Sequence, residues 1–82
     1  MSCTVEQRNR LRSAAERCGA LPAVAAVDLL APDTGPQTTW TLEIVVTRPS
    51  VPADVLRELA LADCALHDVS RQGTHVVVTA TA

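Results

Sequence analysis

Two histidines are the residues of this sequence best suited to chemistry. His67 and His75 lie on either side of segment 70–74, whose composition is typical of a β-hairpin loop. A three-residue loop would place His67 opposite Val77 and Val69 opposite His75. All four residues then share one face of the hairpin, where the two imidazoles are diagonal neighbours. With a carboxylate from Glu43 they could begin a metal site. The simpler interpretation, which we prefer, is two solvated histidines on a polar face.

Other common catalytic patterns do not fit the sequence. Asp68 and Ser70 supply the remaining residue types of a hydrolytic triad, but in a strand they alternate onto the face opposite the histidines. The three glycines are too scattered for a phosphate-binding loop. The three cysteines are widely spaced and predict reduced, packed thiols; they are Cys3, Cys18 and Cys64. We therefore expect a non-enzymatic protein with no cofactor and no bound metal.

The composition is that of a soluble globular domain. The chain has 82 residues, of which 48% are hydrophobic and 20% charged, so we expect one domain spanning residues 1–82. No apolar run is long enough for a membrane span, and the polar N-terminus is unlike a secretory signal, which predicts a cytoplasmic location. The net charge of −2 disfavours nucleic acid as a partner. Such a partner would have to be bound through Arg8, Arg12, Arg48 and Arg71.

The strongest structural signal is the strand predicted over residues 38–47. Apolar residues alternate there with mostly polar ones, as in a strand that is buried on one face. Trp40, the only aromatic residue, lies on the apolar face with Leu42, Ile44 and Val46. We expect this face to contact the helices, and the opposite face to remain open.

The remaining elements follow from periodicity and turn residues. The sequence predicts a helix over 4–18 that ends at Gly19, a weaker strand over 23–30 and a loop over 31–37. A second helix extends from about Pro52 to Ala62, with Leu61 outside its apolar stripe, which is formed by Val55, Leu56, Leu59 and Ala62. Strands over 63–70 and 74–81 follow, joined by the hairpin loop.

The element order αββαββ predicts an α+β two-layer sandwich, with two helices on one face of a four-stranded, mostly antiparallel sheet. This order is that of a permuted ferredoxin-like plait. It would make strands 38–47 and 74–81 a central parallel pair and strands 23–30 and 63–70 the edges. The two αββ halves also resemble each other weakly, with Leu11-Arg12 matching Leu56-Arg57.

The open face of the sheet is the expected interaction surface. It lacks the aromatic residues on which plaits stack RNA bases, which disfavours RNA. Threonines and valines suit packing against another protein surface, so we expect a homo-oligomer, or an unknown protein partner, at this face or at an edge strand. The alternative is a regulatory domain that binds a small molecule between two domains. The expected interface residues are Thr41, Glu43, Val45, His75, Val77 and Thr79.

Overall fold

The computed structural model describes residues 2–32 and 39–82, with side chains from residue 5 onward. The predicted loop 31–37 therefore lies largely outside the described residues. The chain forms α1 (Ser2–Gly19), β1 (Val24–Leu30), β2 (Thr41–Val46), α2 (Ala53–Leu61), β3 (Ala65–Gln72) and β4 (His75–Thr81). This is a small α+β fold with a four-stranded antiparallel sheet and two helices, as the sequence predicts.

The strands are ordered β1-β2-β4-β3. The central and edge strands are those expected, but the central pair β2 and β4 is antiparallel, so the predicted parallel orientation is wrong. The connections explain this. The crossover through α2 makes β3 run in the same direction as β2, and the following hairpin reverses the chain, so β4 must run opposite to β2.

The core lies between the sheet and the helices. Leu42, Ile44 and Val46 of β2 are fully buried, which confirms the predicted face. They pack with alternate residues of β4 and with the apolar stripes of both helices, namely Leu11, Ala14, Cys18, Val55, Leu59, Val76, Val78 and Ala80. Trp40 also packs against this core, although it is only partly buried.

The β3–β4 hairpin corrects the predicted loop. The loop has two residues, Gly73 and Thr74, because Gln72 pairs with His75. Gly73 has a φ of 65° and Thr74 has no positive φ, as in a type II′ turn. Strand β3 thus covers 65–72. Next to the turn, the residue that pairs with His75 is Gln72 and not the predicted Val69, a shift of three residues. An odd shift exchanges the two faces of a strand.

The two helices differ in length. Helix α1 has 18 residues and α2 has 9, or about 27 Å against about 14 Å. Pro52 caps the start of α2, and Asp63, with a φ of 59°, follows its end. The predicted cap at Gly19 is not formed, because Gly19 is the last helical residue and has no positive φ. Neither helix of the described chain combines the length and apolar character needed to cross a membrane.

Candidate interaction surface

The six residues expected at the interface lie on one face of the two central strands. Thr41 pairs with Thr81, Glu43 with Thr79 and Val45 with Val77. This face is opposite the helices, because residues at the alternate positions of both strands form the core. His75 lies at the turn end of the same face, and its Nδ1 is 3.2 Å from the hydroxyl of Thr74.

Thr41 is poorly placed to contact a partner. Its side chain is only 5% exposed, and its hydroxyl donates a hydrogen bond of 3.2 Å to the carbonyl oxygen of Thr39. Glu43, Val45, Val77 and Thr79 are half-buried. The accessible part of the predicted surface is therefore the middle of the sheet and its turn end.

The two histidines are not neighbours, so the predicted pairing is wrong. His67 is the extra residue of a β-bulge between Leu66 and Asp68, whereas His75 pairs with Gln72 at the other end of the hairpin. Five residues of strand separate position 67 from position 72, or about 17 Å. Among the described residues, no three His, Cys, Asp or Glu side chains gather as they would around a metal.

A row of carboxylates crosses the open face instead. Asp28 pairs directly with Glu43, Glu43 with Thr79, and Thr79 with Asp68. Like charges placed directly opposite each other across two strands are unfavourable, and no ion pair is formed by these three carboxylates within the described chain. The strands place no arginine on this face, because Arg71 pairs with Val76 on the side of the helices. The open face is therefore acidic.

Strand β3 exposes apolar side chains on the opposite side, where the helices lie. Leu66 pairs with Ala80 and Val69 with Val78, and both partners are buried core residues. Yet Leu66 is 48% exposed and Val69 is 44% exposed. These two side chains point toward the helical layer but are not covered by it.

Leu56 of α2 extends this exposed apolar surface. The Glu58 carboxylate lies 3.3 Å from Nη1 of Arg17, so this flank of α2 faces α1. Leu56 lies about 160° around the helix axis from Glu58 and hence on the flank of α2 away from α1, and α2 itself packs on β3. It is 43% exposed. We refer to Leu56, Leu66 and Val69 together as the β3 strip.

The opposite edge of the sheet is better protected. Helix α1 packs along β1 far more extensively than α2 packs on β3. Two charged side chains of α1, Arg12 and Glu16, border an open hollow at β1 together with Val27 and Asp28. Charged side chains beside an edge strand discourage pairing with another chain. The two edges of this sheet therefore differ in how readily they could accept a further strand.

The β3 strip was missed by sequence reasoning. The predicted register placed Val69 on the open face, and the apolar stripe of α2 counted Leu56 as a core residue. One signal was available: only nine residues lie between Pro52 and Ala62, so α2 had to be much shorter than α1. A helix that short cannot cover the full length of an edge strand.

A second hollow, of about 130 Å³, lies where the α1–β1 and β2–α2 connections meet. Its walls are mainly apolar, with Leu21, Pro22 and Val55 among them. Arg48 and Asp54 contribute opposite charges to its lining, and both residues are exposed.

Comparison with known proteins identifies no relative of this chain. No protein-family model, curated protein or solved structure matches the chain.

Proposed function

We propose that this chain is a small, non-enzymatic interaction module that associates with a second copy of itself through the exposed edge of β3. The observation that carries the proposal is the β3 strip. Leu66 and Val69 at the β3 edge are nearly half exposed, Leu56 is exposed on the flank of α2 away from α1, and we take the three as one apolar surface. Contiguous exposed apolar surface of this kind is typical of protein interfaces, and an unpaired edge strand is a template for another strand.

The charges favour the edge over the open face as the site of self-association. If two open faces stacked, the carboxylates of Asp28, Glu43 and Asp68 would face an identical acidic row. Burying like charges together without counter-charges is costly. Pairing at β3 leaves both acidic rows in water. It also covers apolar side chains that are otherwise half-exposed.

The finer fold assignment forms part of this proposal. The strand order β1-β2-β4-β3 with two helices on one side is compatible with a permuted ferredoxin-like plait, because in such a plait too the crossover and the hairpin that follows it make the central pair antiparallel. In that arrangement both edge strands are accessible from the sides, as edge pairing requires. The free thiols of Cys18 and Cys64 suit the reducing cytoplasm, where we place the module.

Sedimentation equilibrium across a micromolar concentration series tests the proposal. We expect the mass to rise with concentration from 8.7 kDa toward twice that value. Val69→Lys should hold the protein at the monomer mass, because association would bury an unpaired charge. The matched control is Leu61→Lys, which replaces another exposed leucine of α2, 64% accessible, on a different flank of the helix.

The control should associate as the unmodified chain does, since Leu61 lies outside the β3 strip. An unmodified chain that stays monomeric at high micromolar concentration would overturn the proposal. Equal weakening by Val69→Lys and Leu61→Lys would show that general surface charge, and not the strip, controls association. Circular dichroism of each variant verifies that the fold is retained.

A second candidate function, binding of a small zwitterion, is favoured by the 130 Å³ hollow. Arg48 and Asp54 could bind a carboxylate and an ammonium group, respectively, beside apolar walls. Thermal unfolding with single amino acids tests this candidate, because a ligand that binds only the folded state raises the melting temperature. Arg48→Gln should abolish any shift. The absence of a shift with every amino acid would remove the candidate.

A further inference from the structure

We infer a specific pairing for the dimer: β3 of one copy runs antiparallel to β3 of the second, with Ser70 facing Ser70 on the two-fold axis. The inference rests on the proposed function and specifies its geometry. It joins two four-stranded sheets into one of eight strands. The occupant of the β3 edge is then a second copy of this chain, held in one register.

The hairpin loop determines which backbone groups are free to pair. In a two-residue hairpin the flanking residues, here Gln72 and His75, exchange hydrogen bonds. Bonded and non-bonded pairs alternate along an antiparallel ladder, so Ser70 and Asp68 also bond to β4. The N–H and C=O groups of Val69 and Arg71 therefore point outward, away from the sheet. These four groups are available to a neighbouring strand.

Symmetry restricts the registers. A two-fold axis relating two antiparallel edge strands is normal to the sheet, so it keeps each residue on its own face. Two residues that lie opposite each other across the new ladder have their side chains on the same face of the sheet. Their positions in β3 therefore differ by an even number, so their residue numbers sum to an even value. The bulge at His67 interrupts the regular strand, which leaves residues 68–72 for pairing. A pairing centred on Ser70 uses this whole segment and forms four hydrogen bonds, between Val69 and Arg71 of opposite copies.

The side chains agree with this register. Asp68 faces Gln72 of the second copy, so a carboxylate can accept a hydrogen bond from an amide, and the two Ser70 hydroxyls face each other. The two Asp68 carboxylates are then about 14 Å apart along the strands, beyond the screening length of physiological salt. The register centred on Asp68 would place the two Asp68 carboxylates against each other, and the register centred on Arg71 would place the two Arg71 side chains against each other.

One intermediate register remains, with Val69 on the axis. It would pair Arg71 with the bulged His67, where the ladder is irregular. In the Ser70 register the two Arg71 residues are closer, but Nη2 of Arg71 already donates a 3.2 Å hydrogen bond to the carbonyl oxygen of Pro49. That bond holds the guanidinium within its own copy and leaves the aliphatic stem to cover Val69 of the other.

The same symmetry brings the two β3 strips together. Because the axis is normal to the sheet, both helical layers lie on one side of the joined sheet. The Val69 side chains of both copies then lie close to the axis, whereas each Leu66 lies four residues from Ser70, near the hairpin turn of the other copy. Each copy thus adds apolar cover to Val69 of the other, which its own α2 leaves 44% exposed.

Disulfide trapping tests the register. The variant is Ser70→Cys with Cys3→Ser and Cys64→Ser; Cys18 is retained because it is fully buried. Facing residues of a non-bonded antiparallel pair have Cα atoms about 4.5 Å apart, within the range of a disulfide. Mild oxidation should convert Ser70→Cys to covalent dimer about a hundredfold faster than a cysteine away from the axis, given effective concentrations near millimolar.

Three matched variants in the same background distinguish the alternatives. Val69→Cys reports the Val69-centred register, Thr79→Cys reports stacked open faces, and Asp28→Cys reports pairing of β1 edges. We expect all three to cross-link slowly. Rapid cross-linking by Val69→Cys would overturn the register but leave edge pairing intact. Rapid cross-linking by Thr79→Cys or Asp28→Cys, or a monomeric mass before oxidation, would overturn the proposed function as well.

Discussion

The two αββ halves of the molecule have the same order of elements, but their helices cover the edge strands to different extents. In the first half, α1 lies along β1 and covers its inner face. In the second half, α2 is half as long and leaves Leu66 and Val69 of β3 nearly half exposed. The edge strands occupy equivalent places at the two sides of the sheet. The difference in cover, and not in topology, separates the closed half from the open one.

This comparison also limits the internal repeat suggested by the sequence. Leu11 and Leu56 match in the two halves, yet Leu11 is fully buried in the core and Leu56 is one of the exposed residues of the strip. The buried positions of α2 are Val55 and Leu59. The match of Leu11-Arg12 with Leu56-Arg57 therefore joins positions that face different surroundings. A leucine in a short helix can serve a different surface from its counterpart in a long one.

Truncating the matched leucines should give the largest contrast between the halves. Leu11→Ala should lower the free energy of unfolding by about 2–5 kcal/mol, because it opens a cavity in the core. Leu56→Ala should change the stability of the monomer by about 0.5 kcal/mol or less, since Leu56 is 43% exposed and lies outside the buried core. Urea unfolding at low protein concentration measures both. Similar losses at the two sites would mean that the halves are packed alike.

The next largest expected effect is a loss of stability at alkaline pH, caused by Cys18 in the closed half. Burial, reinforced by the nearby Glu58 charge and by Cys64, raises the pKa of Cys18 from 9.0 to about 11. Between these values the unfolded chain loses the thiol proton and the folded chain keeps it, so stability falls as the pH rises from 9 toward 11. The full loss is about 2–3 kcal/mol.

The test of this pH dependence is urea unfolding at several pH values, with Cys18→Ala as the control. The variant lacks the titrating thiol and should lose less stability over the same range. At a fixed pH, thiol reagents should also modify the half-buried Cys64 sooner than the fully buried Cys18. An identical alkaline slope in both proteins would show that Cys18 is not the responsible group.

The glycines of the two halves should respond in opposite directions. Gly73→Ala places a Cβ at a φ of 65°, so we expect a loss of about 1–2 kcal/mol even though nothing lies within 4 Å of that Cβ. Gly19→Ala adds a Cβ at 3.7 Å from Val27 in ordinary contact and removes unfolded-state freedom, so we expect a gain of about 0.4–1 kcal/mol. Thermal unfolding of the two variants tests this, because the melting temperature should fall for Gly73→Ala and rise for Gly19→Ala. Equal effects would contradict the hairpin geometry of the open half.

Sequence reasoning recovered what depends on local pattern. It placed the central strands, the edge strands and the buried face of β2 correctly, because alternation and β-branched residues specify a strand and its inner face. It failed on the hairpin register, since a glycine with positive φ serves both a two-residue and a three-residue loop. Three residues of shift then moved Val69 to the other face. Packing against β4, which local sequence does not encode, decides between the two loops.

The exposed strip was harder to predict for a related reason. Whether Leu56, Leu66 and Val69 are covered depends on how far α2 extends over β3. That is a relation between elements, and no single segment encodes it. The acidic row has the same origin, because Asp28, Glu43 and Asp68 become neighbours only once three strand registers are known.

The last prediction, also of a small effect, concerns one of the contacts between the halves in the helical layer. Arg17 of α1 and Glu58 of α2 form an ion pair of 3.3 Å, with Arg17 half exposed. Solvent screens such a pair, so Glu58→Gln should cost about 0.2–1 kcal/mol. Adding salt should weaken the unmodified protein slightly and leave the variant almost unchanged. If this substitution instead destabilised the fold as much as Leu11→Ala, the ion pair, and not the shared apolar core, would hold α2 in position.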